Sequence, residues 1–118
     1  MNDRELLELA ARAAGIKARW FRVKQWRQVG GYRMQTGQED VFGTHHSKPW
    51  NPLTDDGDAL RLAVSTSLHK RLHEILTGPA YRADALSYGE QCATRRAITK
   101  AAAEIGKSMT QPGATSSP

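Results

Sequence analysis

The segment WNPLTDDGDALRLAV, residues 50–64, carries the strongest local structural signals in this sequence. Trp50 is suited to be an aromatic packing anchor, and Pro52 after it indicates a turn. Asp55 suits an N-cap, because its carboxylate can accept hydrogen bonds from the free amides of a first helical turn. The segment therefore predicts a turn followed by an amphipathic helix. The predicted buried stripe of that helix consists of Ala59, Leu60, Ala63 and Val64.

The carboxylates around Gly57 could instead suggest a calcium site. An EF-hand loop needs ligands at alternate positions and a bidentate glutamate at about the twelfth position. Counted from Asp55, that position holds Thr66, and apolar helix fills the interval. Asp56 and Asp58 are better explained by the first turn of a helix, where the dipole favours negative charge. We therefore interpret all three carboxylates as structural.

Upstream of this segment the sequence predicts a helix and a hairpin. Asn2 and Glu5 form a capping-box pattern, and Leu6, Leu9, Ala10 and Ala13 then repeat at helical spacing, so we predict a helix over 3–14 that ends before Gly15. Aromatic and β-branched residues follow, interrupted by Gly30-Gly31, which predicts strands near 18–28 and 31–36. Residues 37–49, with His45, His46 and Ser47, are predicted to be a polar loop.

Downstream, the pattern of residues 68–76 fits either a continued helix or a short strand. Alternation from Tyr81 to Tyr88 favours a strand that ends at Gly89. A final helix is predicted over 90–109, and residues 110–118 are predicted to be a disordered tail. The small-residue stripe by which this helix would lie against a sheet is Ala97, Ile98, Ala101, Ala102 and Ile105. The predicted fold is α+β, a small antiparallel sheet with packed helices in the order α-β-β-α-β-β-α, as one domain over 1–109.

Composition limits the class of protein. The chain has 118 residues and a net charge of +5, and this positive charge favours an acidic partner such as nucleic acid. No apolar run is long enough to cross a bilayer, and the polar start of the chain is unlike a secretory signal. The single cysteine, Cys92, cannot form an internal disulfide, which favours a reducing cytoplasm.

Two segments together resemble a group of small proteins encoded by tailed phages and prophages. One is Trp50-Asn51-Pro52-Leu53-Thr54-Asp55 with Asp58-Ala59-Leu60, and the other is Ala93-Thr94-Arg95-Arg96-Ala97-Ile98 with Ala101-Ala102-Ala103-Glu104-Ile105-Gly106. The chain is similar to the phage "ABA sandwich" domain group and, more distantly, to the NinX-like proteins of lambdoid phages. The resemblance implies helices packed on a sheet and favours a strand for 68–76. It implies no catalytic or ligand residue.

The sharpest functional candidate is the basic, aromatic stretch from Arg19 to Arg33. Its cations could hold phosphates while exposed rings stack on single-stranded bases. Alternatively, the rings form the core of a hairpin and the cations solvate its outer face. Strand alternation places basic and apolar residues together on both faces. This mixture is unusual for a hairpin whose rings form a core. The candidate binding residues are Arg19, Trp20, Arg22, Lys24, Trp26, Arg27 and Arg33.

Other candidate sites are weaker. Adjacent His45 and His46 diverge on most backbones, and His69 with His73 would share a face but have no evident third ligand. Cys92 lies near a helix start without an oriented base, and a contact with the core suits it better. The glycines form no phosphate-binding pattern. We therefore predict no catalytic residue, no metal and no cofactor.

These observations predict a non-enzymatic phage or prophage accessory protein in the host cell cytoplasm. It would act by binding a host or phage protein through the hairpin. The alternative is a nucleic-acid-binding accessory factor that uses the same hairpin from Arg19 to Arg33. No membrane association is expected, and the sequence does not indicate an oligomeric state.

Overall fold

The predicted first helix is confirmed in the structure, a computed structural model that describes residues 2–45 and 47–110 of the chain. Helix α1 begins after Asn2, whose side chain accepts a hydrogen bond from the Glu5 amide at 2.9 Å. The elements are α1 (Asp3–Ala13), β1 (Arg19–Val29), β2 (Tyr32–His45), β3 (Lys48–Pro49), α2 (Asp56–Ser65), a 3₁₀ helix (Leu68–Arg71), α3 (Leu72–Ile75), α4 (Pro79–Tyr88) and α5 (Glu90–Thr110).

The contacts of the chain divide it into two compact units. Ala18–Trp50 contains the strands and is called the ribbon unit here. The segments on either side of it, 2–17 and 51–110 as far as they are described, contain the helices and are called the helical unit. The prediction of one domain over 1–109 stays a prediction, because two compact units can belong to one domain. The tail predicted from residue 110 lies outside the described residues, apart from Thr110 at the end of α5.

Helix α5 packs most extensively on α1 and also contacts α2 and α4. The predicted stripe of small residues therefore faces other helices rather than a sheet. The approach to α1 is close because Gly106 has no side chain. A Cβ placed there would lie 2.8 Å from the carbonyl carbon of Leu9, which is inside van der Waals contact. Ala10, Ala102 and Ala103 are fully buried in the same unit.

Helix α2 begins as predicted. The Asp55 carboxylate accepts a hydrogen bond from the Asp58 amide at 2.8 Å, which confirms the N-cap. Its buried face differs from the prediction, because Leu62 is buried with Ala59 and Ala63 while Leu60 and Val64 are exposed. The helix is rotated about its axis relative to the predicted stripe.

The predicted second hairpin is wrong. Residues 68–75 are helical, so the strand interpretation of 68–76 is excluded, and the predicted strand from Tyr81 to Gly89 is helix α4. Gly78 caps α4 and Pro79 occupies its first turn, where the missing N–H and fixed φ of proline favour a helix. The alternation from Tyr81 to Tyr88 does not distinguish a strand from a helix, because the segment is rich in alanine, which has the highest helix propensity. In the described residues, the order α-β-β-α-β-β-α is therefore replaced by one helix, three strands and then four α-helices.

The ribbon unit is larger than the sequence predicts. Strands β1 and β2 pair antiparallel across Gly30 and Gly31, whose positive φ angles of 55° and 89° suit a two-residue hairpin turn. Strand β2 continues to His45 and pairs with β3, so the predicted loop 37–49 is mostly strand. A long polar ribbon exposes both faces, and it therefore lacks the apolar alternation by which a strand is recognised.

Candidate binding ribbon

Strand alternation gives the ribbon two faces. Trp20, Arg22, Lys24 and Trp26 of β1 lie on one face, as parity predicts, and we call it the tryptophan face. Their cross-strand partners on β2 are Phe42, Asp40, Gln38 and Gln35. The opposite face, called the valine face, carries Arg19, Phe21, Val23, Arg27 and Val29 of β1 with Val41, Glu39, Met34 and Tyr32 of β2.

Trp20 belongs to an aromatic cluster at the base of the ribbon. Its ring centre lies 4.9 Å from that of Phe42, and Phe42 lies 6.1 Å from Trp50. Phe42 and Trp50 are buried, and Trp20 is half-buried. The Trp50 amide donates to the Phe42 carbonyl at 2.8 Å, which fixes the anchor to β2. Trp20 therefore has a packing role, and Trp50 is the anchor that the sequence indicates.

Arg22 occupies the middle of the tryptophan face, where its Nε lies 3.4 Å from Asp40 Oδ1. Sixty-nine per cent of the Arg22 side chain is exposed. An ion pair this exposed contributes little to stability, because solvent screens the charges. Asp40 instead lowers the local positive potential around Arg22 by offsetting its charge.

Trp26 lies farther along the same face and is 49% exposed. The guanidinium of Arg33 lies over its ring, 5.5 Å from the centroid, a cation–π distance. Lys24 precedes Trp26 on this face and is exposed. This part of the ribbon thus presents one aromatic ring between two cations.

The valine face is basic and apolar. Arg19 lies over the Phe21 ring at 4.9 Å, and Arg27 is exposed. Near the turn, Val29, Tyr32 and Met34 are exposed by 46%, 76% and 52%. Large apolar side chains left in solvent together often mark a contact surface.

Charge is concentrated in the ribbon unit. Ala18–Trp50 contains six lysines and arginines and two acidic residues, so it carries +4 of the chain's +5. The rest of the sequence contains eleven basic and ten acidic residues. The helical segments are nearly neutral, and the basic pI arises from the ribbon.

The predicted binding residues therefore fall into separate groups. Trp20 packs at the base, Arg22 is paired, and Lys24, Trp26 and Arg33 share the exposed half of the tryptophan face. Arg19 and Arg27 lie on the valine face.

Sequence reasoning missed the role of Asp40 beside Arg22, because the pairing depends on a β-bulge between Gln25 and Trp26. It also missed the exposed Met34, for which the only signal was its position beside the turn.

The helical unit has a cavity of about 500 Å³ on the surface formed by α2, α4 and α5, a volume typical of ligand pockets. Leu60, Leu72, Tyr81 and Ile98 line its apolar side. On its polar side Arg95 Nη1 donates to Asp56 Oδ1 at 2.7 Å, and its Nε donates to the Leu53 carbonyl at 3.0 Å. The hydrogen bond to Asp56 raises the pKa of Arg95 despite partial burial. None of the described residues that line this cavity is a Ser, Cys, His or Lys.

The weaker candidate residues, which were not predicted to form a site, lie as follows. His69 lies in the 3₁₀ helix, with its Nδ1 3.4 Å from the Ala63 carbonyl, and His73 lies in α3. Cys92 is a half-buried free thiol near the start of α5. Within residues 2–45 and 47–110, no three His, Cys, Asp or Glu side chains are grouped closely enough to hold a metal ion. His46 lies outside the described residues.

No family model, curated protein or solved structure matches this chain. The resemblance to the phage ABA sandwich group and the phage origin therefore stay predictions. In the described part of the chain, no helix is both long enough and apolar enough to cross a membrane.

Proposed function

We propose that this protein is a non-enzymatic accessory protein of a phage or prophage, and that it acts in the host cytoplasm by binding a partner through the ribbon. The observation that carries the proposal is the concentration of +4 charge and exposed aromatic side chains on a single β-ribbon. The phage origin is supported by the two sequence segments that resemble the ABA sandwich group.

The sequence alone favours a host or phage protein as the partner, whereas the geometry of the ribbon favours nucleic acid. Lys24 and Arg33 are exposed on the tryptophan face and Arg27 is exposed on the valine face, so both faces of this narrow element present cations to phosphates. A two-stranded ribbon also has the width that a nucleic-acid groove admits. Release of counterions from the phosphates would then drive binding. We therefore place nucleic acid first.

An acidic protein is the second candidate. It is supported by the exposed Val29, Tyr32 and Met34 of the valine face, since apolar contacts are typical of the centre of a protein interface. Such a partner would pair its carboxylates with the ribbon cations and cover these three side chains.

The test is a binding titration with single- and double-stranded DNA and RNA at about 50 and 200 mM salt. The variant Lys24→Ala/Arg27→Ala removes one exposed cation from each face of the ribbon. The matched control Lys70→Ala/Arg82→Ala removes the same charge from exposed positions of the helical unit. Arg22 is kept in the ribbon variant because it is paired with Asp40.

Nucleic-acid binding predicts affinity that falls steeply with salt, and a salt slope that is reduced in the ribbon variant by about one for each removed cation that contacts a phosphate. The control should retain the wild-type slope. Absence of binding to every nucleic acid at low salt would exclude the first candidate. A defined acidic protein that binds wild type but not the ribbon variant would then support the second.

A further inference from the structure

We infer that the ligand of the tryptophan face is a single-stranded nucleic acid, and that Trp26 stacks on one of its bases. This inference rests on the proposed function and specifies the ligand class of the same ribbon. It follows from how Lys24, Trp26 and Arg33 are arranged in the exposed half of the ribbon.

The exposure of Trp26 argues against a packing role for its ring. Half of the side chain is in solvent, whereas Trp20 on the same face is packed against Phe42. Arg33 lies over the Trp26 ring and so orients it, and Trp26 is still 49% exposed with this contact in place. A ring held in this way offers a flat surface on which any base can stack. Proteins that bind single-stranded nucleic acid use aromatic side chains in this way.

The neighbouring groups complete the site. Lys24 lies two residues before Trp26 on the same face, and Arg33 keeps its guanidinium at the ring. Cations on both sides of a stacked base can bind the phosphates that flank it. Gln28, Gln35 and Gln38 are the other described residues of this half-face, and all are neutral. The nearest carboxylate on the face is that of Asp40, which is paired with Arg22.

Base stacking selects single strands. In a duplex the base faces are covered by neighbouring bases, so an enzyme or binder must unstack them before a ring can contact them. The valine face offers the competing mode, because Val29, Tyr32 and Met34 could act as an apolar wedge between base steps of a bent duplex. The two faces therefore predict different ligands and different sensitive residues.

The test uses the full chain, an oligothymidylate of about 12 nucleotides and a mixed-sequence duplex of the same length, which lies within the site sizes of single-strand binders. Binding is followed by anisotropy of the labelled nucleic acid and by quenching of tryptophan fluorescence. Trp26→Ala is compared with Met34→Ala, a substitution at a similarly exposed position on the other face. Circular dichroism establishes that each variant is folded.

Preference for the single strand, with affinity roughly tenfold lower in Trp26→Ala and little changed in Met34→Ala, would support the inference. Fluorescence quenching by oligothymidylate should be lost in Trp26→Ala, because Trp20 and Trp50 belong to the basal cluster. Preference for the duplex with dependence on Met34 would overturn the inference and leave the proposed function intact. Binding to neither nucleic acid at low salt would overturn both the inference and the nucleic-acid candidate on which it rests.

Discussion

Arg22 donates a hydrogen bond across the ribbon to Asp40, although the turn at Gly30-Gly31 alone would place Arg22 opposite Glu39. A β-bulge between Gln25 and Trp26 shifts the register by one residue. The same shift sets Phe42, rather than Val41, beside Trp20. Because a one-residue slip moves a side chain to the other face of a sheet, the bulge creates both the aromatic base and the neutralised middle of the tryptophan face.

Replacing Asp40 should strengthen nucleic-acid binding. Asp40→Asn removes the carboxylate that offsets Arg22 and leaves a side chain of similar shape. We expect affinity for oligothymidylate to rise roughly two- to fivefold at low salt, and less at high salt, because the charges are exposed. Fluorescence anisotropy measures the change. Glu74→Gln, which disrupts the exposed pair with Arg71 on the helical unit, is the matched control and should leave affinity unchanged.

The two tryptophans of the tryptophan face should differ in their effect on stability. Trp20→Ala removes the ring that packs on Phe42, and we expect it to lower the free energy of unfolding by about 2 kcal/mol. Trp26→Ala should change it by less than about 0.5 kcal/mol, because Trp26 lies at the surface. Urea unfolding followed by circular dichroism measures both. Equal losses would mean that Trp26 is a packing residue, which would remove the main support for its role in binding.

The contact between α1 and α5 should depend on Gly106. Gly106→Ala places a methyl group against the Leu9 carbonyl and forces the two helices apart, so we expect a loss of about 1–3 kcal/mol in the free energy of unfolding. Gly57→Ala is the matched control. A Cβ there would lie 3.2 Å from the capping oxygen of Asp55 and 3.3 Å from Arg61, so these side chains need only a small shift, and the better helix propensity of alanine should offset its cost. Thermal unfolding compares the two, and an unchanged melting temperature for Gly106→Ala would contradict the proposed close packing.

Some of these features could be predicted from sequence because they depend on near neighbours along the chain. The caps at Asn2 and Asp55 and the turn at Gly30-Gly31 belong to this class. The β-bulge could not be predicted, since it depends on how β1 and β2 settle against each other. The predicted strand at α4 is wrong because an alanine-rich stretch fits two periods, and the Gly78-Pro79 pattern before it is also typical of a helix start. The sequence could indicate Trp26 as a candidate binding residue. Its exposure and its contact with Arg33 depend on how the strands pair, and could not be predicted from sequence.

The N-cap of α2 gives a final prediction for the segment with the strongest sequence signals. Asp55→Ala removes the acceptor for the Asp58 amide, and we expect the free energy of unfolding to fall by about 1 kcal/mol. Asp55→Ser should retain most of the stability, because a serine hydroxyl can accept the same hydrogen bond. Asp58→Ala should cost at least as much as Asp55→Ala, since the Asp58 carboxylate accepts from the Asn51 amide at 3.0 Å and from Arg61 at 2.8 Å. If serine and alanine at position 55 were equally destabilising, the carboxylate would have a role other than capping, and ligand binding by these aspartates would have to be reconsidered.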